Sequence, residues 1–527
     1  MEAKLSKSCI KRVLNNRFIN DRCKALSLIP KPNLLKDIKK ATKRIKQAIQ
    51  NREKIAIVGD YDVDGVVASV IISEFFDDIG VHTQVKIPNR FVDGYGLKKE
   101  IVHKLGNVDL IITVDNGISA HEAADFCFEA GIDLIITDHH NVPNELPKAY
   151  AIVNPKQDGC NFPNSEICGA QVAWYLVAAL KDELNIKYNL SKFLDLLSIA
   201  IVADMMELKD INRVMVKAGL KYLNSSNRVA FDVIKTFFRK SHFKCEDISY
   251  LIAPLINSSG RMEDAIYSYE FLKAKTQKEA YKILEYIVDL NTQRKEMESN
   301  LFEKSLKLID PNSKVIVVWG DDWHEGVLGI VASRLARRFN LPTIVFSING
   351  DIAKGSARSV GSIDILKFIE EQKDLLLGYG GHKGAAGISL ESCYLQQFKD
   401  NLEQSFAMVS KDQYIQKSEI LGEINPKEID FELLDILEEY EPYGQQNPLP
   451  IFTIKDAYVK NCKIIGQNGN HQKMLLECDD TILESICFNF VREVDIGKKV
   501  NIIFSISKNE FRGVITPQLV VKEVQIS

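Results

Sequence analysis

The fold is decided by residues 55–65, which read Ile55-Ala56-Ile57-Val58-Gly59-Asp60-Tyr61-Asp62-Val63-Asp64-Gly65. Four apolar, largely β-branched residues open this stretch, as is typical of a strand buried on both faces of a parallel sheet. An acidic turn follows directly. Residues 110–114 before Asp115 and residues 134–137 before Asp138-His139-His140 repeat the pattern, and a fourth apolar run, 196–202 before Asp204, predicts a helix. The chain is therefore predicted to be an α/β protein built on a parallel sheet.

Acidic and imidazole side chains follow each of these apolar runs. In an open α/β sheet, ligands bind outside the carboxyl ends of the strands, so we expect these side chains to converge on one crevice. One Asp after a strand is usually a turn or N-cap residue, but three clusters at successive strand ends favour a site. Closely packed carboxylates repel one another, and divalent cations between them offset that repulsion.

Oxygen ligands with one or two imidazoles suit Mn²⁺ or Mg²⁺ better than a metal that prefers thiolates. Two such ions would activate a water molecule and stabilise the oxygens of a phosphoryl group. Hydrolysis of a phosphoester or phosphoanhydride is the predicted chemistry.

The order and context of the four clusters resemble the motifs of the DHH phosphoesterase superfamily, which is named after the triplet at Asp138-His139-His140. The resemblance implies two bound ions, Mn²⁺ or Mg²⁺, with Asp115 bridging them. It implies that one ion is held by Asp62 and the other by Asp64, His139 and Asp204. It also implies catalytic roles for Asp60, Asp138 and His140. Pyrophosphatases of this superfamily carry a His four residues before the first ligating Asp, where this chain has Val58, which argues against that branch.

Composition and length limit the class of protein. The 527 residues predict two to four domains, and 67 Lys and Arg against 71 Asp and Glu exclude a global positive field. The 10 cysteines lack Cys-x-x-Cys spacing, which indicates neither a zinc ribbon nor a disulfide framework. No apolar run is long enough to span a bilayer and no signal peptide is evident, so we expect a soluble, cytoplasmic protein.

Changes of pattern along the chain predict five parts. They are a basic helical N-terminal segment (1–50), a DHH catalytic domain (51–275), a linker helix (276–310), a smaller α/β domain (311–410) and an OB-type β-barrel (411–527). Residues 1–54 contain 16 Lys or Arg against four acids, with apolar positions at helical spacing. Both a solvated helix face and a strand-guiding surface fit that segment.

The smaller α/β domain contains two glycine-containing motifs, Gly355-Ser356-Ala357-Arg358-Ser359 and Gly380-Gly381-His382-Lys383-Gly384-Ala385-Ala386-Gly387. Paired glycines let backbone N–H groups approach an anion, and an Arg fork with a Ser hydroxyl suits a terminal phosphate. Alone, such a segment is more often only a turn. Both motifs resemble the DHH-associated domain, in which the Gly-Gly-His motif faces the metal crevice.

Four further segments, residues 88–96, 257–262, 323–330 and 441–448, resemble RecJ-type exonucleases, and this resemblance covers nearly the whole chain. It implies a single-strand-specific 5′-to-3′ DNA exonuclease that releases 5′-mononucleotides and acts in recombination and repair. It implies a set of substrate-binding residues, namely Arg90, Asn257, Arg261, Ser356, Arg358, Gly380, Gly381 and His382. The implied partners are single-stranded DNA, a helicase and a single-strand-binding protein, and we expect a monomer with no membrane contact. For His324, substrate contact and simple packing fit equally well.

Two other functions fit parts of the pattern. A DHH phosphodiesterase for nanoRNA or other short nucleotides would share the metal ligands, but such enzymes typically lack the C-terminal barrel. A non-catalytic replication scaffold would have lost ligands, whereas every ligand position is filled here.

Overall fold

The computed structural model describes residues 4–415, 420–466, 469–490, 493–511 and 513–526. Its α-helices are, in chain order, α1 Lys7–Asn16, α2 Ile38–Asn51, α3 Val63–Asp78, α4 Lys99–Leu105, α5 His121–Ala130, α6 Gly169–Glu183, α7 Leu194–Ala203, α8 Asp210–Asn224, α9 Val229–Phe237, α10 Cys245–Asp247, α11 Ala253–Met262, α12 Ile266–Lys273, α13 Gln277–Leu306, α14 Glu325–Phe339, α15 Ile365–Glu370, α16 Leu395–Ala407 and α17 Phe431–Glu439. Its strands are β1 Ile55–Val58, β2 Thr83–Lys86, β3 Leu110–Val114, β4 Asp133–Thr137, β5 Ala151–Val153, β6 Ile316–Asp321, β7 Thr343–Asn349, β8 Ile352–Arg358, β9 Leu376–His382, β10 Ala385–Glu391, β11 Ile420–Glu423, β12 Ile451–Ile465, β13 His471–Cys478, β14 Thr481–Phe488, β15 Lys499–Phe511 and β16 Val514–Ile526.

Contacts divide the chain into two compact units that are not continuous in sequence. The smaller unit comprises Met1–Lys31, Leu194–Leu223 and Ser418–Ser527. The larger unit comprises Pro32–Phe193 and Asn224–Lys417. It therefore contains the predicted smaller α/β domain and all of the predicted catalytic domain except residues 194–223.

The first sheet of the larger unit has the order β2-β1-β3-β4-β5, and all of its strands are parallel. Every residue of β1 and β3 is buried, as the continuous apolar runs predict. Helix α3, which follows β1, is buried over nearly its whole length. The predicted parallel-sheet domain is confirmed, and its geometry places the residues that follow β1, β3 and β4 at one edge of the sheet.

A second sheet in the larger unit has the order β6-β7-β8-β10-β9. Strands β6 and β7 are parallel, and the other neighbours are antiparallel. The long helix α13 precedes this sheet and is capped at its N-terminus by Thr276, whose side chain accepts a hydrogen bond from the Glu279 N–H. The linker helix and the smaller α/β domain are therefore both present.

The smaller unit contains a closed barrel. Its strands follow the order β12-β13-β14-β16-β15, a pairing of β12 with β15 closes the ring, and β11 adds to β12 in parallel. The predicted OB-type barrel is confirmed. Strand β12 runs from Ile451 to Ile465 with a register shift between Ile454 and Ala457 in its pairing with β15. Asp456 has a φ of 54° at that shift.

Aromatic residues of the barrel divide between core and surface. Phe452 and Phe504 are fully buried, with ring centroids 6.2 Å apart. Tyr458 and Phe488 are exposed. Only the exposed rings are available to stack on a base.

Ion pairs neutralise part of the positive charge of the basic N-terminal segment. Lys7 lies 2.6 Å from the carboxylates of both Asp430 and Glu432, and Lys11 lies 3.2 Å from Glu439. These contacts join α1 to the start and end of α17 within the smaller unit. Such pairs at a surface contribute little stability, so their effect is mainly to orient the helix. Among the described residues, no helix has the length and apolar character needed to cross a membrane.

Candidate active site

The first acidic motif forms a tight turn between β1 and α3. Asp62 caps α3 and accepts hydrogen bonds from the Asp64 N–H at 2.9 Å and the Gly65 N–H at 3.2 Å. The Val63 N–H donates to the Asn257 side-chain oxygen at 3.2 Å. A Cβ on Gly65 would lie 2.5 to 2.6 Å from atoms of Asp60, so only glycine allows this close return of the chain.

Helix α6 holds the Asp64 carboxylate at its N-terminus. The Gly169 N–H donates to one carboxylate oxygen at 2.5 Å and the Ala170 N–H to the other at 2.9 Å. Burial, followed by the charge of Asp62, nevertheless raises the pKa of Asp64 to about 6. The same two causes raise the pKa of Asp60 well above its ordinary value. The negative charge concentrated in this cluster is therefore greater than the N-terminus of α6 can offset.

Asp115 and the two histidines of the triplet complete the cluster in the larger unit. Candidate ligand atoms of Asp60, Asp62 and Asp115 lie within 4.8 Å of one another, as do those of Asp115, His139 and His140. The His139 Nε2 lies 3.1 Å from an oxygen of Asp115. Burial, followed by the charge of His140, lowers the pKa of His139 to about 3, so this imidazole is neutral at physiological pH. Buried carboxylates beside a neutral imidazole are a donor set that fits Mn²⁺ or Mg²⁺.

Asp138 positions the triplet rather than joining the ligand atoms. Its carboxylate accepts hydrogen bonds from the backbone N–H groups of Ile118, His139 and His140 at 2.9, 2.7 and 3.1 Å. It also lies 2.7 Å from the His140 Nδ1. Burial raises the pKa of Asp138, but the hydrogen bond and charge of His140 outweigh burial and lower it overall. The Asp138 carboxylate therefore favours a proton on the His140 Nδ1, and the Nε2 lies 3.4 Å from the Tyr95 hydroxyl.

Three arginines form a candidate anion site in the same unit. The Arg90 guanidinium lies 4.2 Å from the centre of the Tyr61 ring. Burial, followed by the charges of Arg90 and Arg358, lowers the pKa of Arg261 to about 10. Arg358 donates to the hydroxyls of Ser356 at 3.0 Å and Ser333 at 3.1 Å. Guanidinium groups that are close enough to repel one another indicate a binding site for a phosphate group.

The Gly-Gly-His motif closes β9, where Gly380 and Gly381 are exposed. Partial burial, followed by the charges of Arg358 and His140, lowers the pKa of His382. The motif of the second domain thus lies within electrostatic reach of the triplet of the first. His324 caps α14 by accepting a hydrogen bond from the Gly326 N–H at 3.2 Å, and its ring packs edge-on against Phe91 at 5.3 Å. For His324 the structure favours packing.

Most of the predicted site residues of the larger unit lie around these clusters. Asn257 supports the first motif through Val63, and its contact with substrate stays a prediction. Asp204 follows α7, which belongs to the smaller unit, and its role as a ligand also stays a prediction. Sequence reasoning missed the amides of Gly169 and Ala170, because only the tertiary fold brings them to Asp64. It also missed the role of Tyr95, although residues 88–96 had pointed to that loop.

Substitution of Gly169 tests how tightly α6 packs against the acidic cluster. A Cβ there would lie 2.3 Å from an oxygen of Asp115, so Gly169→Ala must displace the Asp115 side chain. We expect the variant to bind Mn²⁺ about 10- to 100-fold more weakly, because its ligand is misplaced. Electron paramagnetic resonance of free Mn²⁺ measures that affinity, and the thermal midpoint shows whether the fold is retained. An unchanged Mn²⁺ affinity would contradict this account of the cluster.

The carboxylate and imidazole cluster at the strand ends, together with the arginines and the Gly-Gly-His strand, defines a phosphoesterase of the DHH class. Residues 54–201 match the DHH family, N-terminal domain, residues 312–410 match the DHHA1 domain and residues 420–523 match the RecJ OB domain. The single-stranded-DNA-specific exonuclease RecJ of Bacillus subtilis is 33% identical over 94% of this chain and 64% of its own length. The corresponding RecJ of Haemophilus influenzae is 31% identical over 94% of this chain and 91% of its own length. The chain therefore belongs to the RecJ family of single-stranded-DNA-specific exonucleases.

Solved structures agree with this assignment. The crystal structure of Thermus thermophilus RecJ in complex with Mn²⁺ superposes with a TM-score of 0.85 and 25% identity, covering 99% of this chain and 76% of that one. A crystal structure of an exonuclease RecJ bound to manganese gives a TM-score of 0.64 and 29% identity, covering 73% of this chain and 97% of that one. These comparisons confirm the predicted family and fold class. At the level of the family, they also confirm the prediction of a metal-dependent exonuclease. The chain spans about two thirds of the length of the Bacillus relative.

Proposed function

We propose that this protein hydrolyses single-stranded DNA from its 5′ end, releasing 5′-mononucleotides in a reaction that requires two Mn²⁺ or Mg²⁺ ions. One observation carries the proposal: in the larger unit, the domain with the acidic and imidazole cluster directly contacts the domain of Arg358 and His382, where the Arg261 Nη1 donates to the Gly326 carbonyl at 3.3 Å. The acidic and imidazole cluster is suited to cations, and Arg358 with His382 is suited to a phosphate. Relatives that align over 94% of this chain are single-stranded-DNA-specific exonucleases.

The residues that would hold the two ions follow from the motifs. Asp62 and Asp115 would hold one ion, and Asp64, Asp115, His139 and Asp204 the other. Burial supports this assignment, since Asp64, Asp115 and His139 are 2%, 2% and 6% exposed, and buried carboxylates need a compensating charge. When bound, such ions supply an activated water molecule and neutralise charge that develops on the phosphoryl oxygens.

The remaining residues bind and orient the strand. Arg90, Arg261 and Arg358, with the Ser356 hydroxyl, would bind the terminal phosphate, and the exposed backbone of Gly380 and Gly381 lets the strand approach closely. The first internucleotide phosphorus would then lie at the acidic cluster, where water would add to phosphorus and the bond to the 3′-oxygen of the terminal nucleotide would break. In its doubly protonated form, His140, held through its Nδ1 by Asp138, would donate the Nε2 proton to the leaving 3′-oxygen, while the attacking water loses a proton of its own.

The cellular setting is part of the same proposal. The family supports a role in DNA recombination and repair in the cytoplasm, as a monomer that receives single strands from a helicase and a single-strand-binding protein. The barrel, which matches the RecJ OB domain, would provide a further contact for the strand. The presence of this barrel supports the exonuclease over a phosphodiesterase that acts only on very short nucleotides.

Digestion of end-labelled single strands tests the proposal. We expect 5′-labelled DNA to release labelled mononucleotide at once in Mn²⁺ or Mg²⁺ and none in EDTA, while 3′-labelled DNA shortens progressively and duplex resists. Asp138→Ala should slow release about 10²- to 10⁴-fold, because His140 loses its orienting partner. Asp125→Ala, which removes only a surface partner of Lys148 2.9 Å away, is the matched control.

Three outcomes would contradict the proposal. Asp138→Ala and Asp204→Ala variants that digest DNA as fast as the unaltered chain would rule out this site. Cleavage confined to dinucleotides would move the protein to the short-substrate phosphodiesterases. Absence of cleavage in every metal would make it a non-catalytic scaffold.

A further inference from the structure

A groove lined by cations runs along α8 in the smaller unit. Two adjoining cavities of about 400 and 410 Å³ form it, and both are lined by Lys24, Arg213, Val214 and Lys217. The first extends to Phe18, Ile19, Asp21 and Tyr440, and the second to Ala218, Lys221 and Tyr222. We call this feature the α8 groove. The predicted metal ligands and substrate contacts include none of its residues.

The groove carries more positive than negative charge. Lys24, Arg213, Lys217 and Lys221 face the acids Asp21 and Glu439. Both acids have partners of their own: the Asp21 carboxylate accepts a hydrogen bond from the Asp210 N–H at 2.9 Å, and Glu439 pairs with Lys11 at 3.2 Å. Burial, followed by the charges of Arg213 and Lys221, lowers the pKa of Lys217. Arg213 and Lys217 donate to the backbone carbonyls of Glu439 and Glu441 at 3.3 to 3.4 Å, and because these acceptors are neutral, an anionic ligand would still relieve the repulsion between the cations.

The spacing of three of these cations is regular. Arg213, Lys217 and Lys221 recur every fourth residue, which places them on one face of α8 about 6 Å apart along the axis, at 1.5 Å per residue. That interval is close to the separation of neighbouring phosphates in an extended nucleic-acid strand. A compact anion would need the cations to converge, whereas a row of cations fits a chain of phosphates.

Aromatic and apolar surface lies beside the row. The Arg213 guanidinium lies 4.2 Å from the centre of the Phe18 ring, which stacks in turn on Tyr440 at 6.3 Å. Tyr222 is 41% exposed and Ile19 is 71% exposed. An exposed tyrosine one residue beyond Lys221 offers a face on which a base can stack while the phosphates contact the cations.

We propose that the α8 groove binds the sugar-phosphate backbone of single-stranded nucleic acid, with Arg213, Lys217 and Lys221 contacting successive phosphates and Tyr222 stacking on a base. The groove would be a contact for the strand in addition to the barrel and the arginine site. This inference rests on the proposed function for its biological meaning, but its binding chemistry is independent of cleavage. The regular cation spacing and the exposed ring favour a nucleic acid over an acidic peptide.

Binding of fluorescein-labelled oligo(dT) to the full chain in EDTA tests the groove, with anisotropy measured over a series of salt concentrations. In Lys217→Gln/Lys221→Gln we expect the slope of log K against log salt to fall by about 1.4, since each phosphate contact on a single strand contributes about 0.7. Affinity at low salt should fall about tenfold. Tyr222→Ala should weaken binding about fivefold or more without changing the slope, because a base contact releases no counterions.

The control is Lys278→Gln/Lys282→Gln, a pair with the same spacing on the exposed face of α13, which should leave both affinity and slope unchanged. Groove variants with the affinity and slope of the unaltered chain would overturn the proposal. A groove variant that keeps its affinity for oligo(dT) but loses affinity for a polyglutamate peptide would overturn it in favour of an acidic peptide. An unaltered chain that binds oligo(dT) through the groove in EDTA but releases no nucleotide in Mn²⁺ would contradict the proposed function and support the groove.

Discussion

Replacement of Asp115 by asparagine should lower the rate of nucleotide release by about a thousandfold or more. Asp115 belongs to both candidate ligand groups of the larger unit, with Asp60 and Asp62 on one side and the two histidines on the other. Loss of its charge therefore weakens both metal sites, and metal ions contribute several kcal/mol to transition states of this kind. Asparagine tolerates the φ of 63° at this position, so the backbone should be retained. Release from 5′-labelled single strands in Mn²⁺ measures the effect.

The same variant gives a readout that does not depend on activity. In EDTA we expect Asp115→Asn to unfold at the same temperature as the unaltered chain or a higher one, because one charge is removed from a buried acidic cluster. At a Mn²⁺ concentration of about 100 Kd the unaltered chain should gain about 2.7 kcal/mol, and the variant much less. Asp125→Asn, at an exposed pair with Lys148, is the control and should behave as the unaltered chain. Equal stabilisation of both variants by Mn²⁺ would mean that Asp115 is not a ligand.

The positions of the acidic residues were predictable because they depend on one local rule. A short run of buried β-branched residues forms a parallel strand, and whatever follows it lies at the carboxyl edge of the sheet. Asp60, Asp115 and Asp138 obey this rule. The family resemblance then assigned roles that the rule alone leaves open, such as which carboxylate bridges the ions.

Other features depend on contacts between residues far apart in the chain, and no local pattern contains them. The Asp64 carboxylate is held by the amides of Gly169 and Ala170, more than a hundred residues later. The start of the chain packs within the unit that contains the barrel, where the Leu5 N–H donates to the Glu423 carbonyl at 2.7 Å. Basic residues read as a possible strand-guiding surface are partly engaged in ion pairs there. The cations of the α8 groove likewise come from two segments that are far apart in the chain.

Gly326→Ala should also have a large effect on activity, because the substitution lies where the two domains of the larger unit meet. Gly326 lies in the first turn of α14, on the second domain, and a Cβ there would lie 1.9 Å from the carbonyl oxygen of Arg261 in α11, on the first. The Arg261 Nη1 also donates to the Gly326 carbonyl at 3.3 Å. The added methyl group meets backbone rather than a flexible side chain, so the two helices must separate.

That separation should disturb the anion site before it disturbs the acidic cluster. Arg261 belongs to α11 and Arg358 to β8, so a shift of about 1 Å between the domains changes the distance between two groups proposed to bind one phosphate, and such a misplacement costs about a hundredfold in rate. We expect kcat/KM to fall by about that factor on 5′-phosphorylated strands, and by less on strands with a 5′-hydroxyl, which lack the ligand of the arginines. The free energy of unfolding should fall by about 1–3 kcal/mol.

Gly387→Ala supplies the stability control, since a Cβ there meets no atom within 4 Å, and its thermal midpoint should be unchanged. Equal losses of kcat/KM on 5′-phosphorylated and 5′-hydroxyl strands would show that the domain contact acts on the acidic cluster instead. A Gly326→Ala variant as stable and active as the unaltered chain would show that α11 and α14 separate without cost, and that the two halves of the site are not held by this contact.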